Sequence, residues 1–306
     1  MKLKAGQDVI DALRLAYRAD KPALLEGLHG IGKSELVQET AHSLDIDCIV
    51  CDLSLMEPTD LLGLPRHEGG KTKYSPPAFL PDGGKGLLCF EELNRCEKYV
   101  RAPTLQLLTA RRLNDYVLPK EWLPVACVNP SGDGYDVDEL DVALLSRFIR
   151  IVVEADAGRW LDWAEAHGVH DAVTRYVRNT SGIFKSSESN PRAWKYVSDL
   201  VRAHEGAKGK DHILAVNVAG LVGDTHGSAF MKCYLSGDEP LSSEDILNRY
   251  PQHMAIMKRW AKDKRTDLLD ATAHNVMVAL QSSDVCVRIS KSRTMAKRLE
   301  DFLGDI

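Results

Sequence analysis

The sequence predicts an α/β domain built on a parallel five-stranded sheet with helices on both faces, followed by an all-helical region. Short apolar runs alternate with helical patterns up to about residue 153, which is the order typical of a parallel sheet. After residue 155 the strand-like runs mostly stop, while the helical patterns continue. We therefore expect an α/β domain over residues 1–154 and a helical domain over residues 155–306.

Five short apolar runs are the candidate strands of the sheet. They are Ala23–Glu26, Cys48–Leu53, Gly86–Phe90, Leu123–Val128 and Phe148–Val153. Between the first two runs, apolar and small residues recur at helical spacing after Lys33 and predict a helix that packs on the sheet. The helical patterns of the second region are Gly158–Ala166, Asp171–Arg178, Arg192–Ala203, Asp211–Val222 and Asp267–Leu280.

The composition excludes several classes of protein. The 306 residues are 44% hydrophobic and 27% charged, as in ordinary globular proteins. No apolar run approaches the roughly 20 residues that cross a bilayer, and the first residues lack the features of a signal peptide. We therefore expect a cytoplasmic protein without a membrane partner. The formal net charge of −5 does not favour binding of nucleic acid, which is itself negatively charged. We therefore do not expect nucleic acid as a partner.

The cysteines are predicted to be reduced core residues. Their number, seven, is odd, and most lie within apolar runs. Cys48 and Cys51 spell the CxxC pattern of zinc and redox sites, but they lie in a strand-like run. Because residues three apart on a strand point to opposite faces, we interpret this pair as part of the core.

The segment GLHGIGKS matches the phosphate-binding pattern G-x-x-x-x-G-K-[ST] and lies between a strand and a helix. Glycines let backbone N–H groups curl around phosphate oxygens, and the helix N-terminus adds positive potential. Lys33 is predicted to reach the β- and γ-phosphates, and Ser34 to offer its hydroxyl to Mg²⁺. The predicted nucleotide-binding residues are Gly27, Leu28, His29, Gly30, Ile31, Gly32, Lys33 and Ser34. The alternative is a flexible glycine turn.

An acidic pair follows the third apolar run, where Phe90 precedes Glu91 and Glu92. A nucleotide hydrolase needs such groups to hold the metal and to orient water. Adjacent strand residues face opposite ways, so both carboxylates are expected at the carboxyl end of the strand, where open α/β sheets bind ligands. The alternative is a pair of solvated glutamates in the first turn of a helix.

Several motifs in the expected order resemble those of the AAA+ ATPases and, within them, of the MoxR-like group. GLHGIGKS resembles Walker A, LLCFEE resembles Walker B, and EELNRC is similar to the acid-acid-x-Asn-Arg signature. Asn129 in VACVNP holds the place of the sensor 1 residue, and Arg147 in ALLSRF that of the arginine finger. Arg192 in NPRAW holds the place of the sensor 2 arginine.

Two further segments resemble features of this branch. PTDLLGLP, with the following RHEGGKTKYSPPAFLP, resembles the helix 2 insert, and RRLNDYVLP resembles the pre-sensor 1 hairpin. One position departs from the family, since Walker B normally ends in Asp-Glu and here the first acid is Glu91. Mg²⁺ often keeps several waters, so an outer-shell contact can absorb the longer side chain. Ser34 and Glu91 are the predicted Mg²⁺ ligands, and Glu92 is the predicted base that polarises water.

The resemblance implies a Mg²⁺-dependent ATP hydrolase that forms a homo-oligomeric ring, a hexamer, and remodels or activates a protein client. It also implies a von Willebrand factor A-like protein as client or adaptor. In this scheme Asn129 orients water, Arg147 acts on a neighbour's γ-phosphate, and Arg192 belongs to a lid helix.

Two other functions stay open on the sequence alone. A nucleotide-dependent switch with little hydrolysis is supported by the unusual Glu91. A nucleic-acid-stimulated motor would use the basic residues Arg66, Lys71, Lys73, Arg111 and Arg112 to line a pore, with Tyr74 stacking on bases.

Overall fold

The structure is a computed structural model, and it describes residues 2–130, 140, 142–205 and 209–305. The chain forms two compact units, Met1–Asp156 and Ala157–Ile306. Among the described residues, no helix is both long and apolar enough to cross a membrane.

The first unit is a mixture of strands and helices. Its strands are β1 (Lys2–Lys4), β2 (Ala23–Glu26), β3 (Asp47–Asp52), β4 (Leu64–Glu68), β5 (Lys71–Ser75), β6 (Gly86–Glu91), β7 (Arg112–Leu113), β8 (Tyr116–Val117), β9 (Trp122–Val128) and β10 (Ile149–Glu154). Its α-helices are α1 (Gln7–Arg18), α2 (Lys33–Leu44), α3 (Pro58–Leu62), α4 (Lys98–Ala110) and α5 (Val142–Leu145), and a 3-10 helix covers Leu53–Leu55.

A parallel sheet with the strand order β1-β10-β2-β9-β6-β3 forms the centre of this unit. The predicted parallel sheet is confirmed, and each of the five predicted strands is present within one residue at either end. The sheet has six strands rather than five, because β1 pairs with β10. Its sequence, Lys-Leu-Lys, contains no apolar run. An edge strand needs only backbone hydrogen bonds on one side, and Lys2 and Lys4 pair with Glu154 and Asp156.

Helices cover both faces of the sheet, as predicted. On one face α1 and α2 pack against alternate strand residues such as Leu25 and Leu87. On the other face α4 packs against the neighbouring residues Leu24 and Leu88. This two-sided burial explains why the strands appear in the sequence as continuous apolar runs. Cys51 belongs to the second core and Cys48 packs against the first, which confirms that the CxxC pair is divided between the two faces.

Two hairpins project from the sheet. The segment that resembles the helix 2 insert contains α3 and the antiparallel hairpin β4–β5. The segment that resembles the pre-sensor 1 hairpin forms β7–β8. The two are joined, because the Tyr74 backbone N–H donates to Asp115 Oδ2 (3.1 Å) and Asn114 Nδ2 donates to the Leu62 carbonyl (3.4 Å).

All the regular secondary structure described in the second unit is helical, as predicted. Its helices are α6 (Ala157–Ala166), α7 (Asp171–Asn179), α8 (Pro191–His204), α9 (Asp211–Ser236), α10 (Ser243–Lys262), α11 (Thr266–Leu280), α12 (Ser283–Lys291) and α13 (Arg293–Asp305). The rings of Tyr176, Trp194 and Phe230 meet in the core, with centroids 5.1 to 5.6 Å apart. The predicted helix that ends at Val222 continues beyond Gly223, whose φ of 80° kinks α9.

Candidate functional site

The phosphate-binding loop connects the end of β2 to the beginning of α2. A Cβ atom on Gly27 would lie 2.6 Å from the Val153 carbonyl oxygen of β10, so a larger residue does not fit there. Gly30 and Gly32 have φ values of 69° and 90°, in the left-handed region that favours glycine. The loop therefore adopts a tight turn that depends on its glycines.

Lys33 is the first residue of α2, and its side chain is buried within the loop. Its Nζ donates to the carbonyl oxygens of Gly27 (2.6 Å) and Leu28 (2.9 Å). It also donates to Asn129 Oδ1 at 3.0 Å. The ammonium group thus lies inside the curve of the loop, where a phosphate group would need it.

Asn129 follows the carboxyl end of β9 and is only 2% exposed. Its Nδ2 donates to Glu92 Oε2 (2.9 Å) and Oε1 (3.2 Å). The side-chain amide is therefore oriented from both sides, with its oxygen toward Lys33 and its nitrogen toward Glu92. This arrangement arises because β2, β9 and β6 are neighbours in the parallel sheet, so their carboxyl ends lie side by side.

The acidic pair lies where the sequence predicted it, at the carboxyl end of β6. Glu91 is the last residue of the strand, and Glu92 follows with a φ of 55°. A left-handed conformation is uncommon for a residue with a side chain and costs on the order of 1 kcal/mol. The turn ends the strand after Glu91 and leaves Glu92 beside Asn129. Arg95 also pairs with Glu92, with Nη1 3.5 Å from Oε2.

Asn94, the asparagine of the motif EELNRC, is a site residue to which the sequence analysis gave no role. Its side chain is buried, its Nδ2 donates to the Asn129 carbonyl oxygen (2.8 Å), and its Oδ1 accepts from the Asn129 N–H (3.3 Å). Asn94 therefore positions the backbone of Asn129. The signal for it was an amide between the buried residues Leu93 and Cys96, within the motif EELNRC.

The predicted metal ligands lie on neighbouring elements of the same edge. Ser34 is the second residue of α2 and is half-buried. Glu91 lies opposite Asp52 of β3 in the strand register. Across the described ranges, no three His, Cys, Asp or Glu side chains form a metal-binding group. A metal here would need oxygens from a bound phosphate, as is usual for Mg²⁺.

Arg147 lies near the amino ends of the strands, whereas this site lies at their carboxyl ends. It is exposed, and it precedes β10, whose first residue Ile149 is opposite Ala23 of β2. Four residues separate Ala23 from Gly27, which corresponds to about 13 Å along the strand. The structure therefore does not bring Arg147 to the loop of its own chain.

Arg192 belongs to the second unit, where it is exposed and is the second residue of α8. Pro191 begins the helix, and the side chain of Asn190 accepts a hydrogen bond from the Ala193 N–H at 3.0 Å. The predicted helix start is confirmed. The role of Arg192 toward a nucleotide stays a prediction.

Residues 22–148 match the family model of the AAA domain, dynein-related subfamily. The first unit contains an AAA domain. The matched segment begins just before β2 and ends just before β10, so it includes Lys33, Glu92, Asn129 and Arg147. The narrower assignment to the MoxR-like group stays a prediction.

Two solved structures resemble the chain at low sequence identity. The Holliday junction branch migration motor RuvB from Thermotoga maritima is 18% identical, over 78% of this chain and 80% of its own, with a TM-score of 0.45. NtrX from Brucella abortus, in complex with ADP, is 12% identical over 98% of this chain and 69% of its own, with a TM-score of 0.48. At these scores neither supports a functional inference. No curated protein matches the sequence.

Proposed function

We propose that this protein is a Mg²⁺-dependent ATP hydrolase of the AAA+ type. The observation that carries the proposal is the pair of contacts of the Asn129 side chain, 3.0 Å to Lys33 and 2.9 Å to Glu92. One amide joins the cation of a phosphate-binding loop to a carboxylate that can polarise water. Because this part of the chain also matches an AAA domain, ATP is the natural substrate.

The loop fits the phosphates of ATP in charge and in shape. Its backbone turns tightly around the N-terminus of α2, where N–H groups and the helix dipole favour an anion. Lys33 Nζ now donates to two neutral carbonyl groups, and exchanging these for phosphate oxygens gives stronger, charge-assisted hydrogen bonds. Ser34 and Glu91 would hold Mg²⁺, which supplies charge neutralisation on the phosphates.

Glu92 is the residue suited to orient the attacking water. Its carboxylate is fixed by Asn129 on one side and approached by Arg95 on the other. Water attacks the γ-phosphorus and gives a proton to Glu92, the bond to the β–γ bridging oxygen breaks, and ADP and inorganic phosphate form without a covalent enzyme intermediate. Asn129 keeps the carboxylate in place while the lysine contacts the phosphates.

Two variants test binding and hydrolysis separately. Lys33→Ala removes the cation in the loop, and calorimetry should show loss of ATP binding, whereas Lys21→Ala, at an exposed lysine, should bind normally. Glu92→Gln should bind ATP and lose turnover by several orders of magnitude. Unchanged ATP affinity in Lys33→Ala, or a wild-type rate in Glu92→Gln, would contradict these assignments. A wild-type protein that binds ATP without turnover would favour the nucleotide switch.

We also propose that the active form is a homo-oligomeric ring, expected to be a hexamer. This is supported by the exposed position of Arg147, about 13 Å or more along the sheet from its own loop. An arginine supplied by a neighbour contributes roughly a thousandfold or more to turnover in related chemistry. Activity should therefore rise with protein concentration.

A mixing experiment tests this assembly. Arg147→Ala and Lys33→Ala subunits, each inactive alone, should recover part of the activity when combined, since some interfaces then contain Lys33 and Arg147 from different subunits. Lys33→Ala mixed with Glu92→Gln is the control, because neither subunit has an intact loop and carboxylate. Full activity of Arg147→Ala alone, or no recovery in mixed rings confirmed by sizing, would exclude an arginine finger here.

The ring is proposed to act on a protein client, with a von Willebrand factor A-like protein as client or adaptor. Since Glu92→Gln should hold ATP without hydrolysing it, this variant should retain the client. Co-purification from the native cell, compared with Lys33→Ala as the control, identifies that client.

A further inference from the structure

A groove lies beside β3, the last strand of the central sheet, at the carboxyl end of that strand. Its volume is about 730 Å³, which is within the range of ligand-binding clefts. It is lined by the end of β3, the 3-10 helix, α3 and the two ends of the β4–β5 hairpin. The apolar side chains in its wall include Val50, Leu55, Met56, Leu64 and Phe79. Leu55 and Leu64 are 82% and 65% exposed, which is unusual for two leucines in one concave surface.

The strand that forms one wall of this groove has an open edge. β3 pairs with β6 on one side, and the described residues place no strand on its other side. An edge strand presents unpaired backbone N–H and C=O groups that can pair with another chain. The centre of β3, Cys48-Ile49-Val50-Cys51, contains no charge and no proline that would discourage such pairing.

The opposite edge of the same sheet makes a useful contrast. It is formed by β1, which has three residues, two of them lysines paired with Glu154 and Asp156. Charged side chains and short length are the usual means of protecting an edge. One edge of this sheet is therefore protected in the usual way, and the edge at the groove is not.

The groove is also acidic. Asp52 and Asp60 are among its lining residues, and no lysine or arginine is. Asp52 accepts hydrogen bonds from the N–H and hydroxyl of Ser54, and Asp60 accepts one from the Glu57 N–H. These bonds hold the carboxylates in place without cancelling their charge, since within the described residues neither forms an ion pair. A cation beside the apolar wall would complement them.

We propose that β3 and this groove bind an extended peptide segment that pairs with β3 as an additional strand. Its apolar side chains would fill the space around Leu55, Leu64 and Phe79, and a lysine or arginine would lie near Asp52 and Asp60. Strand addition gives affinity through the main chain and specificity through alternate side chains. The proposal deepens the proposed function, on which it rests, by naming the chemistry of the client segment.

The binding test uses a fluorescein-labelled peptide, Thr-Val-Thr-Val-Lys-Val-Thr-Val, and fluorescence anisotropy without nucleotide. Two further peptides carry N-methyl groups on alternate residues, one on the even positions and one on the odd. Because only alternate N–H groups of an added strand face β3, one methylated peptide should lose binding about tenfold or more and the other should bind normally. Equal effects of the two methylation patterns would exclude strand addition.

Protein variants locate the site. Leu55→Ser and Leu64→Ser should each weaken binding about tenfold, because apolar burial is lost at exposed positions that do not support the fold. Leu15→Ser, at a leucine of similar exposure on α1, should bind as the wild type does. The double variant Asp52→Asn and Asp60→Asn keeps both hydrogen-bond acceptors and should abolish the preference for the lysine peptide over one with glutamate.

Two further outcomes would overturn the proposal. One is an equal loss of binding in Leu15→Ser and Leu55→Ser. The other is no peptide binding together with dissociation of oligomers by Leu55→Ser, which would show that a second copy of the chain covers the groove. The measurements are repeated in Lys33→Ala. Peptide binding there, in a protein that cannot use ATP, separates failure of this proposal from failure of the proposed ATPase function.

Discussion

Replacing Asn129 by alanine removes the amide that joins the lysine of the loop to the carboxylate. The substitution deletes a donor 2.9 Å from Glu92 and an acceptor 3.0 Å from Lys33. The backbone contacts with Asn94 remain, because they involve the N–H and C=O of residue 129. The variant therefore changes the orientation of Glu92 and leaves the phosphate-binding loop intact.

The effect of Asn129→Ala on affinity, stability and turnover depends on the hydrogen-bond partners that Lys33 and Glu92 keep. Lys33 keeps two carbonyl acceptors, so ATP affinity should change by about threefold or less. The side chain of Glu92 is 25% exposed, and water can replace part of the lost hydrogen bond. The loss of folding stability should therefore be near the lower end of the usual 1–3 kcal/mol, about 1 kcal/mol. Turnover should fall about a hundredfold, which is typical when a catalytic group is misplaced by about 1 Å.

Phosphate release under steady-state conditions measures the turnover, calorimetry the ATP affinity, and thermal unfolding the stability. Asn129→Asp is the matched control. It keeps an acceptor for Lys33 but puts a carboxylate beside Glu92, so its turnover should fall at least as far as that of Asn129→Ala while ATP still binds. A folded Asn129→Ala protein with wild-type turnover would refute the positioning role. An equal loss in affinity and turnover would assign the residue to ATP binding instead.

Three further predictions concern two residues of the first unit and one of the second. Asn94→Ala should reduce turnover about tenfold with little change in ATP affinity, as measured by phosphate release and calorimetry, because it loosens Asn129 indirectly. Gly27→Ala should destabilise the first unit by about 1–3 kcal/mol, seen in denaturant unfolding, since its Cβ would meet the Val153 carbonyl oxygen at 2.6 Å. Burial lowers the pKa of His226, so the unfolded chain binds a proton more readily than the folded one. Stability should therefore fall as the pH drops below about 6.5, and His226→Gln should reduce this dependence in thermal unfolding between about pH 5 and pH 8.

The sheet was predictable because its central strands are buried on both faces. Leu87 and Leu88 belong to different cores, so the strand appears in the sequence as an uninterrupted apolar run. β1 has no such run, since an edge strand with one short pairing needs no apolar side chains. The predicted helix end at Val222 was wrong, because Gly223 kinks α9 without ending it.

The sequence predicted which residues form the site, but it predicted only part of the backbone conformation and hydrogen bonding that join them. The motif at Lys33 and the position of Glu92 after a strand indicate which elements meet at one sheet edge. The left-handed backbone of Glu92 has no signature in residue type, because glutamate seldom adopts it. The pairing of Asn94 with the backbone of Asn129 also has none, since it depends on the register of two strands that are far apart in the sequence.

The groove could not be predicted from the sequence, because it depends on how the two ends of the β4–β5 hairpin meet. A Cβ atom on Gly63 would lie 1.8 Å from the Ser75 carbonyl oxygen, so the two ends of the β4–β5 hairpin touch through a glycine that has no room for a side chain. That contact joins the two ends of the hairpin, and Leu55 and Leu64 line the same concave surface beside β3. In the sequence these leucines belong to short apolar groups, DLSLM and LLGL, which on their own do not indicate an exposed surface. Only the closed loop and the open strand edge together make them a surface that another chain could use.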